Sequence, residues 1–255
     1  MARRKKVYES KTRILFEGPE PGTLVQYFKD DSREEGGDKV SCISSANEAR
    51  GILNNRLSEF FMSGLNNVGI PTNFIRRLNM REQLVRMVEI IPLEIMVRNF
   101  AAGQMTERLG IREGTLLPRP IVEYYLTDRD LGSPLVTEEH ILAFNWAGQQ
   151  DLDDIVALVL RVNDFLSGVM TGIGIQLMSF SIEIGRVWDG DYMRLVVTDE
   201  ITPDSMLIWD LRQPEDASGQ IPDPAPMADP HGELARRLGV LPSTATHPAK
   251  FSVLN

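Results

Sequence analysis

The sequence predicts an α+β protein. Its strand-like segments outnumber its helical ones, and the two kinds do not alternate as a doubly wound parallel sheet requires. The composition is that of a globular chain, 42% apolar and 25% charged, and 255 residues suffice to bury a large core. No internal repeat is visible.

Residues 6–17 are rich in β-branched and aromatic side chains and stop at Gly18-Pro19-Glu20-Pro21-Gly22. Residues 23–29 then read as a second strand, giving a β-hairpin with a long turn. The polar run 30–45 has neither period and reads as a loop. From 48 to 68, Ile52, Leu53, Leu57, Phe60, Phe61, Leu65 and Val68 recur at three- and four-residue steps, a helix that Gly69 stops. Residues 73–78, 83–90 and 93–99 are strand-like, and Pro92 between the last two fits an edge or a crossover.

A short helix is expected from 101 to Gly110, then a strand over 121–126 and a loop containing Pro134. Residues 151–170 form the strongest helical pattern, with Asp151, Asp153 and Asp154 at the positive end of its dipole. Residues 175–187 alternate. Leu177, Ser179, Ser181 and Glu183 share one face, and Met178, Phe180, Ile182 and Ile184 the other. Residues 191–201 return as the hairpin partner. Residues 214–230 hold five prolines, four acids and no Lys or Arg, so they should be extended and poorly packed, before a short helix over 233–238. The expected organisation is a β-rich lobe over 1–82, a larger α+β lobe over 83–213, and a proline-rich C-terminal segment over 214–255.

The 36 acidic side chains outnumber the 27 basic ones, giving a net charge of −9. With its one dense basic run at Arg3-Arg4-Lys5-Lys6, the chain lacks the cationic surface of a nucleic-acid binder. The single cysteine, Cys42, cannot form an internal disulfide, and no basic-then-apolar leader opens the sequence, which together predict a cytoplasmic setting. The longest purely apolar run is far short of the roughly 20 residues of a membrane span. Walker A, His-Glu-x-x-His and Cys-x-x-Cys motifs are absent, and His140, His231 and His247 share no metal-ligand spacing. Gly172-x-Gly174 follows a helix and reads as its stop.

Two groups can carry chemistry. Lys11 and Arg13, two apart on a predicted strand, place two cations on one face beside the 18–22 turn, as a phosphate clamp would; solvated charges on an exposed strand are the other reading. Glu183 and the acidic pair Asp199-Glu200 lie on paired strands, where carboxylates can hold Mg²⁺ at an ATP phosphate or simply face water. Register decides between these. A tight turn at Asp189-Gly190 would set Glu183 against Val196 and turn Asp199 away, whereas direct opposition of Glu183 and Asp199 needs an apex centred on Asp191.

Longer motifs are more specific. Ile91-Pro92-Leu93-Glu94-Ile95-Met96-Val97-Arg98-Asn99-Phe100-Ala101-Ala102-Gly103 is followed by Arg108-Leu109-Gly110-Ile111 and Leu117-Pro118-Arg119-Pro120-Ile121-Val122-Glu123. With Tyr8-Glu9-Ser10-Lys11, Gly51-Ile52-Leu53-Asn54-Asn55-Arg56, Asp199-Glu200-Ile201-Thr202-Pro203-Asp204 and Trp209-Asp210, this order resembles the phosphoribosylaminoimidazole-succinocarboxamide synthase (SAICAR synthase) family from about residue 6 to 210. The resemblance implies an α+β fold with an ATP site between an N-terminal β-rich lobe and a larger C-terminal lobe. It further implies ATP and Mg²⁺ and small-molecule substrates (an aminoimidazole ribonucleotide and L-aspartate, joined through an acyl phosphate); an acidic soluble enzyme of this size often assembles into a symmetric homo-oligomer.

By the same resemblance, Lys11 and Arg13 contact ATP phosphates, and the 85–91 segment with Arg86 and Val88 lines the adenine site. Glu183 and Asp199 hold Mg²⁺ and, with Lys11, form the catalytic set. Arg98 grips the substrate phosphate, and Gln104, Ser181 and Asp204 are further substrate contacts.

Several positions depart from the family pattern. Ser10 replaces a glycine, Gln104 a serine, and Ser179-Phe180-Ser181-Ile182-Glu183 stands for Asp-Phe-Lys-x-Glu. Leu207 replaces an arginine, and the stretch from 214 replaces an Asp-Lys-Asp-x-Phe-Arg segment. Three lost cationic contacts at about 1.5–3 kcal/mol each would weaken substrate binding by about 5–9 kcal/mol unless other residues replace them. Two further readings stay open on these residues: a paralogue using ATP on a different carboxylate, and a non-catalytic nucleotide-binding protein.

Overall fold

The computed structural model describes residues 4–30, 50–128, 130–212 and 225–241. Most of the loop expected over 30–45 and the prolines at 214, 222 and 224 lie outside the described residues.

An antiparallel five-stranded sheet comprises β1 (Lys6–Glu9), β2 (Arg13–Glu17), β3 (Thr23–Phe28), β4 (Phe74–Arg77) and β5 (Glu82–Arg86), in the order β1-β2-β3-β5-β4. The strand expected over 6–17 is two strands. Ser10, Lys11 and Thr12 form a turn between them, in which the Ser10 amide donates to the Arg13 carbonyl at 2.8 Å and the Arg13 amide to Ser10 Oγ at 3.2 Å. The chain leaves this sheet only after Arg86, so the lobe boundary expected at 82 falls within β5.

The second, seven-stranded sheet is built on β6 (Glu89–Phe100), β7 (Leu116–Leu126), β8 (Leu135–Val136), β9 (Ile175–Trp188), β10 (Met193–Thr198), β11 (Met206–Asp210) and β12 (Ala225–Pro226). Its order is β12-β11-β9-β6-β7-β8, with β10 also paired to β9. Pro92 does not end a strand, as expected from the sequence, but lies inside β6 at the centre of the sheet. The β6–β9 register shifts between Ile90 and Glu94, a bulge where proline's missing donor is tolerated.

Helix α1 (Arg50–Asn67) packs on β3 and β4 of the first sheet and adds Leu53, Leu57, Phe61 and Leu65 to the main core, and α2 (Gln104–Leu109) and α3 (Glu138–Ala143) are single short turns. Helix α4 (Gln149–Gly172) is long and apolar enough to cross a membrane by length and composition. Its stripe Leu152, Ile155, Val159, Val162, Leu166 and Met170 is buried in the main core against Ile95, Val97, Phe180 and Ile182, as a core helix requires. Helix α5 (Pro230–Arg237) adds Leu234 and Ala235 to the same core, both 0% exposed, so the described part of the C-terminal segment is packed rather than loose.

The alternation read in β9 holds from Ser179 onward and breaks before it. Leu177 joins the main core while Met178 packs with Ala102 and Leu207 on the opposite face, because the β9–β11 register shifts between Leu207 and Ile208. The face of the second sheet away from α4 therefore carries Glu94, Arg98, Ser179, Ser181 and Glu183 in neighbouring rows.

Candidate functional site

The two sheets meet at Arg13. It opens β2, and its guanidinium reaches Glu200 at 2.7 Å, Glu183 at 3.6 Å and Asp199. Glu200, whose side chain is 1% exposed, also accepts from Gln26 Nε2 of β3 at 3.2 Å and Thr12 Oγ1 at 3.4 Å. A buried carboxylate survives when paired and hydrogen-bonded, and Glu200 is both.

The register that puts these groups together is neither of the two weighed from sequence. A four-residue apex, Asp189 to Tyr192, sets Glu183 against Thr198, one position short of direct opposition with Asp199. Asp199 escapes the alternation by adopting φ 68°, left-handed backbone that Asp tolerates better than most residues. Thr198 Oγ1 accepts from the Asp199 amide at 2.6 Å, and Asp199 Oδ1 from the Glu200 amide at 2.7 Å, which fixes this bend. Glu183 and Asp199 thus share one cation although the strand geometry alone would part them.

Lys11 is exposed in the β1–β2 turn, not on the strand face expected for it, and the 18–22 turn lies at the far end of β2, beyond Glu17. The clamp beside that turn does not form. Arg86, exposed at the end of β5, donates its backbone amide to Asn73 at 2.7 Å. Val88 lies on Gly185, where an added Cβ would stand 2.7 Å from Val88 Cγ2 and 3.2 Å from the Glu89 carbonyl. Gly185 shares a face of β9 with Glu183, so the linker between the sheets crosses directly beside the acidic cluster.

Farther along the same face, Arg98 is 1% exposed and donates from Nε to Glu123 Oε2 at 2.6 Å, with its terminal nitrogens on the Ala102 carbonyl at 3.2 Å and Tyr125 Oη at 3.3 Å. Arg108 of α2 holds the other oxygen of Glu123. Burial pushes the Glu123 carboxyl up, and the two arginines outweigh it and hold the group below the usual range. Ser181 donates to Glu94 Oε1 at 2.6 Å, and Gln104 is exposed at the start of α2 just past Gly103.

Asp204 lies in the 3-10 turn Pro203–Ser205 at a third position, against α1 and α5. Asn54 Nδ2 donates to its Oδ2 at 2.9 Å, Arg50 pairs with Oδ1, and His231 Nε2 stands 3.5 Å from Oδ2. Burial raises the Asp204 pKa, but His231 and Arg50 more than offset it, leaving the carboxyl well below its ordinary value.

Sequence reading did not single out Gln26, Thr12, Glu94, Glu123, Arg108, Arg50, Asn54 or His231. Glu94 and Glu123 stood inside quoted motifs, and strand parity from Arg98 would have placed Glu94 on its face; nothing local pointed to Gln26 or His231. Among the described residues no three acidic, histidine or cysteine groups form a metal cage. Mg²⁺ is commonly held by one or two carboxylates plus substrate phosphates, and Glu183 and Asp199, converging on a single cation, fit that donor set.

The match to known proteins runs along the whole chain. The SAICAR synthetase family model matches residues 6–223. Phosphoribosylaminoimidazole-succinocarboxamide synthases of Dinoroseobacter shibae and Ruegeria pomeroyi are 61% and 60% identical, each over 100% of this chain and 100% of the relative. The crystal structure of the synthase from Ehrlichia chaffeensis superposes with a TM-score of 0.78 at 33% identity, covering 93% of this chain and all of that one. A SAICAR synthetase solved in complex with ADP gives a TM-score of 0.73 at 31% identity, covering 82% of this chain and 85% of that one. With the fold and the motif order both shared over this length, the chain belongs to the SAICAR synthetase family.

Proposed function

We propose that the chain is an ATP-dependent ligase of purine biosynthesis, joining L-aspartate to carboxyaminoimidazole ribonucleotide to give SAICAR, ADP and phosphate. The whole-length match to synthases at 61% identity carries this reading and disfavours both a paralogue acting on another acid and a non-catalytic protein. The relative solved with ADP supports nucleotide binding by this chain. A cytoplasmic setting suits such substrates and a chain with a single cysteine.

A carboxylate is a poor electrophile, so activation comes first. One oxygen of the ribonucleotide's carboxylate attacks the γ-phosphorus and ADP leaves; the aspartate amine then attacks the acyl carbon and phosphate departs. The protein's contribution is alignment and charge neutralisation. Lys11 and Arg13 are assigned to the ATP phosphates, and the linker with Arg86 and Val88 to the adenine. Mg²⁺, held by Glu183 and Asp199, would add the positive charge that the phosphate oxygens need. Arg98 is assigned to the substrate phosphate, its orientation fixed from behind by Glu123. Gln104, Ser181 and Asp204 complete the substrate side.

Heavy-oxygen labelling of the ribonucleotide's carboxylate tests this sequence of steps. The expected result is one labelled oxygen in the released phosphate; label retained wholly in the product carboxamide and in water would contradict it.

A further inference from the structure

The C-terminal helix brings an unassigned imidazole to Asp204. His231, in the first turn of α5, is 3% exposed, and among the described residues neither ring nitrogen has a hydrogen-bond partner. Its Nε2 stands 3.5 Å from Asp204 Oδ2, the oxygen that also takes Asn54. Asn54 itself keeps a buried, unpartnered Oδ1. Buried polar atoms without partners are rare, and here two side chains with such atoms border one carboxylate.

The helix that carries His231 is firmly seated. Arg237 grips Asp210 through two nitrogens, at 3.0 and 2.6 Å, and donates to the Ile173 and Gly174 carbonyls at 3.3 and 3.2 Å. Asp229 caps the helix by accepting from the Gly232 amide at 3.1 Å, and Leu234 and Ala235 are fully buried below it. An imidazole on such a support cannot swing away, so its approach to Asp204 is a property of the fold.

Asp204 faces the ring from the 3-10 turn, and Arg50 reaches the same carboxylate from α1. On its own helix, Glu233 is turned to Arg236 and Arg237.

We propose that His231 is a positioning residue for Asp204: it fixes the carboxylate's orientation from the C-terminal helix. This rests on the assignment of Asp204 to the substrate side. It gives the C-terminal segment, where the family's usual charged run is missing, a direct part in substrate recognition.

A double-substitution cycle with Asp204→Asn and His231→Gln, assayed for L-aspartate and ribonucleotide KM and kcat, tests it. His231→Gln keeps a donor and should raise one substrate KM about threefold, and His231→Phe about tenfold or more, with the ADP-induced shift in melting temperature unchanged in both. The double variant should be no worse than Asp204→Asn alone. A His231→Phe enzyme with unaltered KM, or effects that add fully to those of Asp204→Asn, would overturn the proposal. If Asp204→Asn itself left both KM values unchanged, the substrate assignment of Asp204 would fall, and the proposal with it, while a failure confined to His231 would leave that assignment standing.

Discussion

Arg13 and Glu200, 187 residues apart in the chain, form a 2.7 Å ion pair that joins the five-stranded sheet to the seven-stranded one. The Arg13 side chain is 12% exposed and that of Glu200 1%, so water screens the pair little. Glu200→Ala removes the partner of Arg13, Gln26 and Thr12 together. The expected loss is about 1–3 kcal/mol in urea unfolding, because the buried Gln26 amide and Thr12 hydroxyl lose their acceptor while Asp199 and Glu183 still compensate Arg13. Glu200→Gln should lose less, since it can still accept from Arg13. Equal stability of Glu200→Ala and the parent would remove this pair as the joint between the sheets.

Gly185 couples the linker to the acidic cluster. A Cβ there meets Val88 and the Glu89 carbonyl, so Gly185→Ala should push the linker outward and weaken ADP binding about tenfold, with Val88→Ala in the same chain restoring part of it. Calorimetric titration with ADP measures both. Unchanged affinity in Gly185→Ala would separate this linker from the nucleotide.

The depressed Glu123 pKa makes part of the stability pH-dependent. Because the folded value lies below the unfolded one, that part is present above the ordinary carboxylate range and is lost as pH falls through the folded value. Arg98→Met removes the larger of the two arginine contributions. It should lower stability by about 3 kcal/mol at neutral pH and also shrink the further loss on acidification. Urea unfolding at about pH 7 and about pH 4 reads both effects; an unchanged difference between the two would contradict the pairing.

Helix α5 is part of the core. Leu234→Ala should cost about 2–5 kcal/mol, the range for a fully buried leucine, whereas an exposed C-terminal helix would lose almost nothing. Thermal unfolding separates the two.

The long periodic elements were legible because their faces are buried: α1 and α4 fall within two residues of their expected ends. Breaks were not. Pro92 sits mid-sheet because a bulge absorbs it, and the Met178 bulge reverses Leu177 and Met178 in an otherwise correct alternation. Of the site, strand reading and the family resemblance singled out Arg13, Glu183 and Asp199, which the fold brings together. Period-two reasoning could not foresee that, since a left-handed Asp199 breaks the period. Asn54 stood inside a quoted motif without a role, and Gln26 and His231 had none either, because their roles depend on contacts between segments distant in the chain, which carry no local pattern.

The most direct test is to incubate the purified protein with ATP, Mg²⁺, L-aspartate and carboxyaminoimidazole ribonucleotide, and to measure ADP and SAICAR together. The account predicts the two products in equal amounts, at about one turnover per second or faster. Absence of SAICAR from a protein whose melting temperature ADP still raises would contradict it.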